Sequence, residues 1–151
     1  MGKLTLIATA PMGLEAVVAR ELNELGYETA IENGRVLFSG DYIDICRCNL
    51  WLRTSDRVLV KMGQFPARTF DELFEGVKAI EWQYWIPENG EFPVDGMSHK
   101  SQRTNVPACQ GLVKTCIIEE MTLAYHTDRL PDDHRRWMAS GISTRCCCWL
   151  T

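Results

Sequence analysis

Asn33-Gly34 constrains this chain more than any other feature. The pair lies between Thr29-Ala-Ile31 and Arg35-Val-Leu-Phe38, two short strand-forming runs, and such a dipeptide there is a strong two-residue hairpin signal. A hairpin at this point makes the two runs antiparallel neighbours. Before it, Leu4–Ala10 reads as a strand closed by Pro11-Met-Gly13. Leu14, Val17, Val18, Leu22 and Leu25 then repeat at helical spacing, with Gly26 as the expected stop. After the hairpin, Gly40-Asp41 punctuates the chain before a second helix over Tyr42–Trp51, expected to turn Ile43, Cys46 and Leu50 inward. Arg57–Met62 reads as a further strand. The resulting order, β-α-β-β-α-β, is the ferredoxin-like split unit and fills residues 1–63.

A second unit is expected over residues 64–130. Thr69-Phe-Asp-Glu72 has the capping-box pattern, and Phe70, Leu73, Phe74 and Val77 give its helix one apolar face. Trp82, Tyr84, Trp85 and Ile86 are expected to plug this helix against the next strand, with base stacking as the other use for Trp82 and Trp85. Glu91–Asp95 reads as that strand, and Pro93 favours a sheet edge. After the polar stretch Gly96–Asn105 a long helix is expected. Asn105 caps it, Pro107 suits its first turn, and Cys109, Leu112, Val113, Cys116, Ile117 and Met121 form its buried stripe. The expected fold class is α+β, a ferredoxin-like unit followed by an incomplete α/β domain.

The 151 residues, 46% hydrophobic and 24% charged, suit one domain or two small ones and rule out disorder and collagen-like repeats. No apolar run approaches the roughly 18 residues of a membrane-spanning helix, and the stretch before Pro11 is short for a secretion signal. A cytoplasmic chain with no membrane partner is expected. The seven cysteines include no CxxC pair, so no structural metal is assigned. No two glycines lie within two residues of each other, which leaves out dinucleotide, S-adenosylmethionine and Walker-type loops. The carboxylate clusters read as helix ends and exposed faces. No catalytic residue is assigned; an enzyme built on Cys46 or Cys109 is the reading that a reactive thiol would favour.

Charge is unevenly distributed. Residues 1–98 carry 9 Lys+Arg against 15 Asp+Glu, whereas residues 99–151 carry 7 against 5. No carboxylate falls between Asp95 and Glu119, a gap that contains Lys100, Arg103 and Lys114. Arg47, Arg53, Arg57, Lys61 and Arg68 share another stretch with the single acid Asp56. Screening beyond about 8 Å lets such local positive fields act on an acidic molecule.

Several segments carry a resemblance. Leu6-Ile-Ala-Thr-Ala-Pro-Met-Gly-Leu-Glu15, Asn33-Gly-Arg-Val-Leu-Phe38, Asn49-Leu-Trp-Leu-Arg-Thr54 and Asp56-Arg-Val58 resemble the N-terminal region of bacterial large-subunit rRNA guanine-N2 methyltransferases. Phe70-Asp-Glu-Leu-Phe-Glu75, Phe92-Pro-Val-Asp-Gly96, Ser98, Lys100-Ser-Gln102 and Val106-Pro107 are similar to their THUMP domain. The resemblance runs in one unbroken order over about residues 3–130. It implies a module that captures rRNA, for a Rossmann-like domain that binds S-adenosylmethionine and transfers the methyl group. The chain is expected to stop before that domain, and so to have no cofactor and no catalysis of its own. Met97 stands where the family commonly has Lys, which would remove one phosphate contact.

The residue chemistry agrees on where RNA would sit. Lys100, Arg103, Lys114 and Arg68 are expected to meet phosphate, and Ser98, Ser101 and Gln102 to donate to phosphate or ribose. The start of the long helix adds free N–H groups suited to an anion. Structured RNA is read mainly through shape, phosphate and 2′-hydroxyls. The competing expectation is a stand-alone interaction domain that pairs an exposed sheet edge with another chain. Oligomeric state and the nucleotide recognised are not legible.

Residues 131–151 show no periodicity, and Cys146-Cys-Cys-Trp149 is unusual for a chain of this composition. Read from each third base, the codons for those four residues give Leu-Leu-Leu, and those for Trp137-Met-Ala139 give Asp-Gly. A turn and an apolar strand are what the second unit would need after its long helix, so a shifted reading frame is expected here. Sequencing the gene across the codons for Leu130 to Thr151 checks this: a confirmed in-frame sequence rules the shift out.

Overall fold

The structure is a computed structural model and describes residues 2–67, 69–90, 92, 94, 106–127 and 148–150. Among these, the chain divides into two compact units between Met62 and Gly63.

In the first unit, β1 (Leu4–Thr9) lies inside a four-stranded antiparallel sheet of order β2-β3-β1-β4, with β2 (Thr29–Glu32), β3 (Arg35–Gly40) and β4 (Val58–Val60). This is the ferredoxin-like arrangement. Leu6 and Ala8 oppose Phe38 and Val36 on one side and Val60 and Val58 on the other. Alternation puts all six on one face, and all six are buried. Helices α1 (Glu15–Glu24) and α2 (Tyr42–Trp51) cover the sheet, burying Val18, Ala19 and Leu22 from one and Ile45 and Cys48 from the other. Burying a large aliphatic side chain of this kind stabilises the fold by roughly 1.5–3 kcal/mol.

The hairpin is braced from outside its own strands. Gly34 takes a left-handed φ of +73°, and its carbonyl accepts from Ala10 N at 2.9 Å. The Glu15 carboxylate accepts from Gly34 N at 2.9 Å and Gly13 N at 2.8 Å, which ties the turn to the loop before α1. Backbone N–H groups at Glu15 itself, Gly34 and Gly13 hold this carboxyl below its usual range.

Helix α2 starts with a capping box: Asp41 accepts from the N–H groups of Ile43 and Asp44, and Asp44 accepts from Asp41 N at 2.8 Å. The other carboxylate oxygen of Asp44 accepts from the Tyr27 hydroxyl at 2.6 Å. The structure therefore corrects the expected rotation of α2. Ile43, Cys46 and Leu50 are exposed, and Ile45 and Cys48 are buried. The set Ile43, Cys46 and Leu50 and the pair Ile45 and Cys48 both satisfy helical spacing, but only this rotation turns Asp44 onto Tyr27.

The second unit contains β5 (Gly63–Phe65), α3 (Phe70–Lys78), a 3-10 turn at Trp82–Tyr84, α4 (Val106–Tyr125) and β6 (Cys148–Leu150). Thr69 and Glu72 form the expected capping box. Leu73, Val77, Trp82, Ile86, Cys116, Ile117 and Met121 form the buried core. Trp82 is fully buried and its indole N–H donates to the Val77 carbonyl at 2.9 Å, so it packs and does not stack on bases. Phe70 and Tyr84, expected inside, are exposed, because the core fills on Leu73, Val77 and Trp82. The Phe65 ring occupies the space that a Cβ on Gly76 would need. Tyr125 places its hydroxyl 3.0 Å from the carbonyls of both Gln83 and Ile86, holding the end of α4 to the 3-10 turn. No element was expected near the end of the chain, yet β6 pairs parallel to β5, Gly63 with Cys148. Most of the strand expected over Glu91–Asp95, and the cap at Asn105, lie outside the described residues.

Two glycines in this frame give opposite expectations. A Cβ on Gly40 would meet Asp44 Cβ at 2.9 Å and Leu6 Cδ1 at 3.0 Å. Gly40→Ala is therefore expected to lower stability by about 1–3 kcal/mol, as overpacking does. Gly111 lies inside α4 with open space around it, and Gly111→Ala should raise stability by about 0.5–1 kcal/mol. Urea unfolding midpoints of the two variants check the contrast.

Candidate nucleic-acid interface

Helix α4 places the one expected RNA-contact residue that the structure describes. Cys116, Ile117 and Met121 hold one face of the helix in the core, which leaves Lys114 exposed on another. From Val106 to Ile118 the helix has no carboxylate, and Lys114 makes no ion pair among the described residues. Further along, Glu119 and Glu120 return the negative charge, and Lys78 on α3 meets Glu120 at 3.7 Å. The positive end of α4 is thus its N-terminal half, where the helix dipole also favours anions. Ser98, Lys100, Ser101, Gln102, Arg103 and Arg68 lie outside the described residues.

The second basic stretch lies in the first unit. Its backbone is pinned: Glu21 accepts from Arg53 N at 3.0 Å and Thr54 N at 3.3 Å, and Arg57 N donates to Thr9 Oγ1 at 3.0 Å. Arg47, Arg53 and Arg57 are exposed. The Arg47 guanidinium lies 5.8 Å from the centre of the Tyr27 ring. Burial pushes the Tyr27 hydroxyl above its ordinary range, and its hydrogen bond to Asp44 adds to this. The same bond lowers the Asp44 carboxyl, which stays charged beside Arg47. A polar depression of about 460 Å³ opens next to this pair, lined by residues that include Lys3, Glu28, Ser39 and Asp41. It contains no pairing of nucleophile and base.

The family model described as the RlmL ferredoxin-like domain matches residues 5–59, and that of the THUMP domain matches residues 67–129. The chain carries both domains, ferredoxin-like and THUMP. In Bacillus subtilis, YpsC, which bears the name of an RNA methyltransferase, is 59% identical over 123 residues, covering 82% of this chain. The ribosomal RNA large subunit methyltransferase K/L of Pseudomonas savastanoi pv. phaseolicola is 31% identical over 131 residues. A crystal structure from Listeria monocytogenes, described as that of an N6-adenine-specific DNA methylase, superimposes with a TM-score of 0.82 at 47% identity. It covers 86% of this chain. The ferredoxin-like–THUMP chain spans 32%, 16% and 34% of these three relatives, respectively.

Among the described residues of the ferredoxin-like–THUMP chain, no group of three or more His, Cys, Asp or Glu could hold a metal ion. No described helix is long and apolar enough to cross a membrane. Cys46, Cys48, Cys109 and Cys116 are free thiols. Burial pushes the Cys48 and Cys116 thiols up to about 11, so neither is a nucleophile near neutral pH. Limited alkylation of the native chain at about pH 8 should modify exposed Cys46 while leaving Cys48 and Cys116 intact until the chain unfolds. Peptide mapping by mass spectrometry reads the order, and early modification of Cys48 or Cys116 would contradict it.

Proposed function

We propose that the chain is the RNA-binding part of an rRNA methyltransferase, holding structured rRNA for a methyl-transfer domain that lies outside it. The observation that carries this reading is the THUMP match over residues 67–129, a segment that contains the carboxylate-free run between Asp95 and Glu119. The names of the relatives divide between RNA and DNA; the THUMP match supports RNA. In this reading Lys100, Arg103, Lys114 and Arg68 neutralise phosphates, while Ser98, Ser101 and Gln102 hydrogen-bond phosphate or ribose. S-adenosylmethionine belongs to the separate domain, and this chain transfers no methyl group by itself. The cytoplasm is where such a chain would meet rRNA.

The open edge of β2, where Ala30, Ile31 and Glu32 are exposed, supports a second reading, strand addition by a partner protein. Salt separates the two. RNA affinity falls steeply with salt because bound counterions are released, by about 0.7 in log–log slope per phosphate contact on single strands and about 0.9 on B-form duplex. Lys100→Ala combined with Arg103→Ala should lower the slope on rRNA fragments by roughly 1.5, with affinity falling evenly across sequences. A folded double variant with an unchanged slope takes the Gly96–Asn105 stretch out of the RNA footprint.

A further inference from the structure

The rotation of α2 leaves a stripe on its outer face that the fold does not use. Ile43 is 75% exposed, Leu50 82% and Trp51 62%, with exposed Cys46 between them. Such a row would normally be covered. Its charge suggests by what. Arg47 stands within the row, and Arg53 follows immediately after the helix, both exposed. The only carboxylate inside α2, Asp44, is turned away onto Tyr27. The Arg47 guanidinium lies 5.8 Å from the centre of the Tyr27 ring, which places a cation within the row. Arg53 is held at the end of the stripe by its backbone bond to Glu21.

We infer that this face, centred on Trp51 with Arg47 and Arg53, is a second RNA contact that takes unpaired bases. One exposed ring, Trp51, flanked by two guanidinium groups has the chemistry of a single-strand platform, in which rings stack on bases and cations follow the backbone. Every base offers a π-face, so the contact is tolerant of sequence. A duplex keeps its bases stacked and offers Trp51 nothing comparable. The inference rests on the RNA-binding reading above and assigns to the ferredoxin-like unit the unpaired part of a structured RNA.

The test uses the full chain with two labelled probes, a single-stranded RNA of about twelve nucleotides and an RNA duplex of similar length, read by fluorescence anisotropy over a salt series. Trp51→Ala should weaken single-strand binding by roughly five- to a hundredfold, the range for one base–aromatic stack, and change duplex binding less than about twofold. Arg47→Gln with Arg53→Gln should lower the single-strand salt slope by about 1.4. In the unsubstituted chain, the single strand should slow alkylation of Cys46, a footprint that needs no variant. Three results would overturn the inference. In the first, Trp51→Ala binds the single strand as tightly as the parent. In the second, Cys46 is not protected at saturating RNA. In the third, Trp51→Ala alters only a monomer–dimer equilibrium, which makes the face a protein interface. If the parent binds rRNA fragments but not the single strand, this inference falls alone; if it binds no RNA at all, the THUMP reading falls with it.

Discussion

The hydrogen bond from Tyr27 to Asp44 sets much of the first unit. At 2.6 Å and charge-assisted, it belongs to the stronger class of protein hydrogen bonds. Asp44 also closes the capping box of α2, so one side chain fixes both where the helix starts and how it is rotated. That rotation buries Ile45 and Cys48, brings Arg47 over Tyr27 and leaves Ile43, Leu50 and Trp51 outside. The close approach of Gly40 to Asp44 is the steric counterpart of the same constraint. Asp44 has a lowered carboxyl pKa, so its contribution is present above the unfolded value and lost as pH falls through the folded one.

Much of this architecture is legible in the sequence because its signals are local. Asn33-Gly34, Thr69-Phe-Asp-Glu72 and the stop at Gly26 each depend on a few adjacent residues, and the structure contains the hairpin, the capping box and the helix end they predict. The rotation of α2 was not legible. Its two apolar sets, Ile43, Cys46 and Leu50 against Ile45 and Cys48, fit the same period, and the choice between them lies with Tyr27, seventeen positions before Asp44. The Asp41–Asp44 cap was missed because Asp stands where the familiar pattern has Glu or Gln. Phe70 and Tyr84 were misplaced because apolar character alone does not say which ring fills a core that Trp82 already occupies. Strand β6 had no signal, since three residues are too few to show alternation. Of the expected RNA-contact residues, only Lys114 is described, and its exposure follows from the stripe read on α4.

A chain of net charge −4 can serve a polyanion because its positive charge is grouped. In the stretch around Arg53 and Arg57 the described backbone is held by hydrogen bonds to Glu21 and Thr9. Arg53 and Arg57 are positioned through their N–H groups, which leaves their guanidinium groups uncommitted among the described residues. Lys78, which meets Glu120, shows the opposite disposition. Over distances shorter than the Debye length, a surface of this kind behaves as cationic, whatever the total.

The parallel pairing of β5 with β6 has a consequence for the order in which the chain acquires its structure. All strand pairs of the first unit close within residues 4–60. Gly63, by contrast, waits for Cys148. During synthesis, which proceeds from the N-terminus at roughly 5–20 residues per second, the first sheet is complete long before β5 finds its partner. For that interval β5 is an unpaired edge, open to wrong pairing with other chains. The folding hazard of this molecule is therefore concentrated at its middle, just after the part that folds first.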